Sequence, residues 1–237
     1  MIKSKVSALG WHLFDKRRAI NQQQSIFDEI THIGADSDNI WIRKSSKIPG
    51  WLLRGEHEFL WEAGLSAPRG GTFVEIGSLY GKSSCILAGS LIARDRGERM
   101  FCIDPFNEAG FQAKLPVKLA PDMPWSFRCF IESAKSEGFL GHIIPVATYS
   151  TIAVPYIPGP FSLAFIDARH DEEGAYEDFT LVAPKMLPEG LILFHDVVQE
   201  SPDYPGVCRA FARAAAHPDF EKIDGAASIA VLRCKKS

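Results

Sequence analysis

The run FVEIGSLYGKSS, Phe73 to Ser84, sets a carboxylate, two glycines, a lysine and three serines behind a short apolar stretch. Such a turn suggests a phosphate loop. That loop needs about four residues between its first glycine and Gly-Lys-Ser, so that successive backbone N–H groups wrap the phosphates. Only Ser78, Leu79 and Tyr80 intervene between Gly77 and Gly81. Glu75, two residues before the first glycine, would repel a polyphosphate but accepts hydrogen bonds from an ammonium or a sugar hydroxyl. Lys82 is then left without a role beyond that of a solvated residue in the first turn of a helix.

Four more apolar runs end in polar chemistry: RMFCID in Asp104, GHIIPVA in Thr148, Tyr149 and Ser150, FSLAFID in Asp167 with His170 just behind, and GLILFHDV in His195 and Asp196. Each group also has a plain structural explanation. Asp104, before Pro105, suits a turn; Asp167 and His170 suit a helix cap and first turn; His195 suits a buried, hydrogen-bonded histidine. The conjunction favours a site, because every one of these explanations would have to fall at the same edge of one sheet.

That sheet follows from the pattern. Strands are expected at 71–77, 99–104, 141–147, 161–167 and 190–197, with helical periodicity between them, notably in SSCILAGSLIARDRG and in DEEGAYEDFTLVAPKML, where Ala175, Phe179, Val182 and Met186 share a face. Near-continuous apolar strands alternating with amphipathic helices specify a parallel sheet covered on both sides. The last two runs, 220–225 and 228–234, are separated by a short Gly-Ala-Ala turn and form an antiparallel hairpin. The expected fold is α/β: a doubly wound sheet of five parallel strands plus a C-terminal hairpin, with helices on both faces. Ligands of such sheets sit beyond the carboxyl ends of the strands, where the strand order reverses. APRGG, Ala67 to Gly71, divides an N-terminal helical segment, 1–66, from the main domain, 67–237. Within that segment Leu52, Leu53, Glu56, Phe59, Leu60 and Ala63 recur at helical spacing.

Composition narrows the ligand. In 237 residues, 26 Lys and Arg nearly balance 29 Asp and Glu, for a net charge of −3, and no basic block exceeds Lys16-Arg17-Arg18, which argues against nucleic acid. Five cysteines, odd in number and without a Cys-x-x-Cys pair, argue against a disulfide framework and for a reducing compartment. No apolar run approaches the roughly 18 to 20 residues of a membrane span, and the N-terminus is a poor signal peptide. A cytoplasmic protein acting on a small molecule is expected.

FVEIGSLYGKSS, FCIDPF, FIDARHDEEGAYEDF and GLILFHDV, followed by PGVCRAF, resemble the class I S-adenosylmethionine-dependent methyltransferases. More narrowly, they resemble the small-molecule O-methyltransferases related to macrocin O-methyltransferase and the cephalosporin-hydroxylase-like proteins. The resemblance spans about residues 50–234 and implies a Rossmann-like fold, an O-methyltransferase activity (EC 2.1.1), a small-molecule acceptor such as a sugar or phenol, and a homo-oligomer. It implies that Glu75, Gly77, Ser78 and Gly81 cradle the methionine part of the cofactor, with Ser83 and Ser84 nearby and Asp167 at the same mouth. Asp104 would hold the ribose hydroxyls, and Thr148, Tyr149 and Ser150 would lie along the adenine. Family members usually carry a second glycine where this chain has the bulkier Ser78-Leu79-Tyr80.

A hydroxyl acceptor needs a base or a metal. Asp167 and Asp196, ending neighbouring strands about 4.8 Å apart, would repel unless something positive lay between them. Mg²⁺ suits such oxygen ligands, and part of the resembling group uses a metal while part does not. The ligand set would be Asp167, Asp196 and His195; His195 and Asp196 point to opposite faces of a regular strand and meet one ion only if the chain curls there. His170, with Asp167, is the candidate catalytic pair, since imidazole titrates near neutral pH. The competing classes are a P-loop nucleotide-binding protein, a dinucleotide oxidoreductase, and a non-catalytic module that keeps the cofactor fold. The tryptophans Trp11, Trp41, Trp51 and Trp61 and the insertion KLPVKLAPDMPW, Lys114 to Trp125, suit a lid, an oligomer contact or core packing.

Overall fold

The computed structural model describes residues 33–95, 97–107, 125–198 and 204–236. Two short helices, α1 (Ile40–Ser45) and α2 (Glu56–Ser66), precede β1 (Thr72–Ile76), α3 (Lys82–Ala93) and β2 (Met100–Ile103). Then follow α4 (Trp125–Ser136), β3 (Ile143–Val146), α5 (Ser150–Ala153), β4 (Phe161–Ile166), α6 (Glu172–Val182), β5 (Met186–Phe194), α7 (Pro205–Ala215), β6 (Phe220–Ala226) and β7 (Ile229–Cys234).

The seven strands form one sheet in the order β3-β2-β1-β4-β5-β7-β6. The first five are parallel, and β7 runs antiparallel to both β5 and β6. The chain leaves β1 towards β2 and β3 and returns to β4 on the other side, so the order reverses between β1 and β4. The period of two along each strand sorts the core. Phe73, Leu163, Phe165, Leu191 and Leu193 pack towards α2, α3 and α4. Val74, Ile76, Ala164, Ile166, Ile192 and Phe194 pack on the opposite face towards α6 and α7.

The N-terminal helices belong to the first of these layers. Trp41 and Trp61 pack against it, and a Cβ at Gly89 in α3 would stand 2.3 Å from the Trp41 ring, so that glycine lets the indole approach the helix closely. Trp51 is 37% exposed. Trp11 and most of the 114–125 insertion lie outside the described residues.

Two expectations are corrected. The helix read through Met186 stops at Val182. Pro184 falls in the 3-10 turn Ala183–Lys185, where it cannot continue the helical ladder, and Met186 instead opens β5 opposite Phe161. Lys82 is not solvated: it is 4% exposed, its stem lies against Gly50, and its Nζ donates to the Ile48 carbonyl at 3.0 Å. Burial lowers its pKa to about 8.

Candidate functional site

The carboxyl ends of β1 and β2 make one half of the site. β1 delivers Glu75 into the helical layer, fully buried, where it accepts the hydroxyls of Ser83, at 2.6 Å, and of Ser84. Both serines lie in the first turn of α3, so the carboxylate ties the end of the strand to the start of the helix. Burial raises its pKa to about 7, against the opposing effect of the serine hydrogen bonds.

Gly77 and Gly81 both take positive φ, 95° and 91°, a region open to glycine at no steric cost. Gly77 is also packed too closely for any side chain. A Cβ there would stand 2.0 Å from the Asp167 carbonyl oxygen, because β1 and β4 are still paired at this point, the Asp167 N–H donating to the Ile76 carbonyl at 2.8 Å. Ser78 is buried, and Leu79, at φ 44°, turns its N–H onto Asp104 Oδ2 at 2.9 Å. Asp104 Oδ1 accepts the Phe106 N–H at 2.6 Å. Burial raises the Asp104 pKa despite these two bonds. A carboxylate has about four acceptor positions, so both oxygens retain capacity for a ligand's hydroxyls.

Beyond β3, Tyr149 is 53% exposed, and its hydroxyl accepts from Asn107 Nδ2 at 2.6 Å. Thr148 N–H bonds back to Val146. The Ser150 hydroxyl is turned away into a bond with the buried Asp178 of α6.

The ends of β4 and β5 make the other half, and here charge dominates. The strand period carries past Phe165 and Leu193 and turns Asp167 and His195 towards the α2 layer. Asp196 follows in the left-handed region, at φ 60°, so the chain does curl at the end of β5. Its Oδ2 lies 3.0 Å from His170 Nε2. His170 stacks on Tyr204 with ring centres 4.5 Å apart.

His195, 5% exposed, places Nδ1 3.2 Å from Asp167 Oδ1 and 3.4 Å from Asp196 Oδ1. Neither contact has full hydrogen-bond geometry, yet both aspartates favour the positive charge of the ring. The opposite nitrogen, Nε2, meets Glu56 Oε2 of α2 at 3.0 Å. Burial alone would lower the His195 pKa, yet Asp167, Asp196 and Glu56 together hold it well above the usual range. The Asp196 carboxyl, though buried, is held well below its ordinary value by His170 and His195. The His170 pKa is raised, chiefly by its bond to Asp196.

Ligand atoms of Asp167, His170 and Asp196 all lie within 4.8 Å of one another. The histidine in that group is His170, the expected base, while His195 spends one nitrogen on Glu56. Sequence reasoning assigned no function to Glu56. The signal was a carboxylate at an apolar position of the α2 stripe.

A parallel sheet that reverses at its first strand and closes with an antiparallel hairpin defines the class: this is the fold of the Rossmann-like O-methyltransferase structures. The chain is similar to TomG from Streptomyces achromogenes, an O-methyltransferase of tomaymycin synthesis solved with S-adenosylmethionine (16% identity, 85% of this chain and 92% of that one, TM-score 0.60). It is also similar to an O-methyltransferase from Bacillus cereus solved with S-adenosylhomocysteine (16% identity, 92% and 100%, TM-score 0.59), and to CalS11, a TDP-rhamnose 3'-O-methyltransferase of calicheamicin biosynthesis (18% identity, 75% and 76%, TM-score 0.51). Residues 74–197, just over half of the chain, match the model of a methyltransferase domain family. The chain belongs to that family. No helix among the described residues is long and apolar enough to cross a membrane.

Proposed function

We propose that the protein is an S-adenosylmethionine-dependent O-methyltransferase (EC 2.1.1) acting on a hydroxyl of a small molecule. The observation that carries this reading is the His170–Asp196 pair, 3.0 Å apart, at the same sheet edge as the glycine turn and Asp104. S-adenosylmethionine supplies an electrophilic methyl on a sulfonium. The chain's own residues hold it: Gly77 and Gly81 shape the turn, and the spare lone pairs of Asp104 suit a ribose diol. Methyl transfer requires alignment in line with the sulfur and removal of the acceptor's proton. Asp196 orients the His170 ring, and His170 accepts that proton.

A divalent cation is a second element of the reading. Asp167, His170 and Asp196 offer two carboxylates and an imidazole, a set that accommodates Mg²⁺ through its oxygens or a softer ion through the nitrogen as well. Bound there, a cation would polarise the acceptor hydroxyl. His170 cannot use one nitrogen for both the ion and the proton, so chelation separates the two schemes.

The test combines thermal shift with S-adenosylhomocysteine, NAD and ATP and transfer of labelled methyl to a panel of catechols and nucleotide sugars, with and without EDTA. A shift with S-adenosylhomocysteine and methylation of at least one hydroxyl are expected. A shift with ATP or NAD alone overturns the reading, and activity that survives exhaustive chelation removes the metal.

A further inference from the structure

Glu56 lies on the first turn of α2, outside the residues that match the methyltransferase domain, and it is fully buried. Its side chain is engaged on every side. Oε1 accepts the Ser228 N–H at 2.9 Å and the Ser228 hydroxyl at 2.6 Å; Oε2 accepts the Leu53 N–H at 2.6 Å and faces His195 Nε2 at 3.0 Å. A carboxylate only accepts, so the His195 nitrogen facing it must carry hydrogen. The other nitrogen of the ring is thereby aimed at the two aspartates on the far side.

Ser228 fastens the same strand end from another direction, because its carbonyl accepts the Val197 N–H at 2.9 Å, one residue past Asp196. One helical carboxylate therefore holds both the ring between the aspartates and the turn beside them. An unpaired buried charge costs far more than a surface one, so an acid at an apolar stripe position is retained only where such partners meet it.

We propose that Glu56 is a positioning residue of the methyl-transfer site: through His195 it sets the orientation of Asp167 and Asp196, and through Asp196 that of His170. This rests on the reading of those strand ends as the acceptor side of the site. The relay runs from Glu56 Oε2 to the His195 ring, from its Nδ1 to Asp167 Oδ1 and Asp196 Oδ1, and from Asp196 Oδ2 to His170 Nε2. Glu56 itself touches no ligand.

Glu56→Gln tests it in the full chain. A single carbonyl oxygen cannot accept from both sides, so the amide must present N–H to either Ser228 or His195, each of which offers a donor. The readout is the ring resonances of His170 and His195, assigned by substitution, with S-adenosylhomocysteine present. Glu56→Gln is expected to move the His170 signals although the two side chains do not meet, and to leave affinity for S-adenosylhomocysteine within about twofold. Turnover of any hydroxyl that the wild type methylates should fall about 10- to 100-fold, the cost of losing such an outer partner. Ser228→Ala, which removes one anchor of Glu56 and no contact of His195, should lower the melting temperature and leave the His170 signals in place. His170 signals unchanged in Glu56→Gln, or moved equally by Ser228→Ala, reduce Glu56 to a structural tie and overturn the proposal. If Glu56→Gln does not fold, Glu56→Asp carries the same readout, since its shorter reach withdraws the carboxylate from His195. A wild type that neither binds S-adenosylhomocysteine nor methylates any acceptor refutes the proposed activity, while the ring signals still decide the relay.

Discussion

The two halves of the site are built on opposite principles. At the ends of β1 and β2, each carboxylate is met by neutral donors: Glu75 by two serine hydroxyls, Asp104 by two backbone N–H groups. Both have raised pKa values, because burial outweighs those bonds. At the ends of β4 and β5, charge meets charge: Asp167 and Asp196 surround His195, which faces Glu56 behind. There the shifts diverge, with the imidazoles up and Asp196 down. The first half is a cradle whose buried acids are held by neutral hydrogen-bond donors. The second is a set of opposed charges that lends itself to proton handling, because the partner of one group fixes the protonation of the next.

Four measurements sharpen or break this contrast, from the largest effect to the smallest. Gly77→Ala forces a methyl onto the Asp167 carbonyl at a positive φ; strain and overpacking together should cost roughly 4 kcal/mol and abolish S-adenosylhomocysteine binding. A folded variant that binds normally in urea titration and calorimetry would mean that the halves do not meet as tightly as described.

His170→Ala should lower turnover by about 10²- to 10⁴-fold while cofactor affinity, by calorimetry, stays put. An equal loss of both would move His170 from the charged half into the cradle.

Glu75→Gln isolates the cradle's buried acid. Its folded pKa of about 7 lies above the ordinary value, so between roughly pH 4 and 7 the folded chain retains a proton that the unfolded chain has shed, and stability falls as pH rises through that window. From pH 5 to pH 8 the wild type should lose up to roughly 3 kcal/mol relative to Glu75→Gln in urea unfolding, the equivalent of the shift. Parallel pH profiles would show that the serines carry Glu75 as an anion throughout.

Asp104→Asn keeps one acceptor and should leave one of the Leu79 or Phe106 N–H groups short of its bond, costing about 1 to 3 kcal/mol and weakening S-adenosylhomocysteine. Unchanged affinity would confine Asp104 to holding the loop.

The cradle was largely legible in the sequence, and the charged half only in part. All seven strands and the terminal hairpin follow from alternating apolar runs and turn residues, because these are local signals, whereas the reversal between β1 and β4 is set by long-range pairing. The start of β5 was misplaced, since Pro184 ends α6 before the apolar periodicity does. Lys82 was misread because nothing in its own neighbourhood tells that Ile48 and Gly50 cover it. His195 follows the parity of Leu191 and Leu193, and its aim at α2 could be argued from the strand period alone. The identity of its partner could not, because Glu56 is 139 residues away. Only the incongruity of an acid on an apolar helix stripe marked it.

The pairing of Glu56 with Ser228 joins positions 172 residues apart. On a ribosome, β1 to β5 emerge while this carboxylate still lacks the β6–β7 turn that receives it, and β7 then adds to the free edge of β5 with β6 outside it. Closure of the charged half is therefore a late event in biogenesis. A nascent chain halted before Ser228 should leave Glu56 without two of its donors and β5 with an open edge, a state that quality-control proteases can recognise.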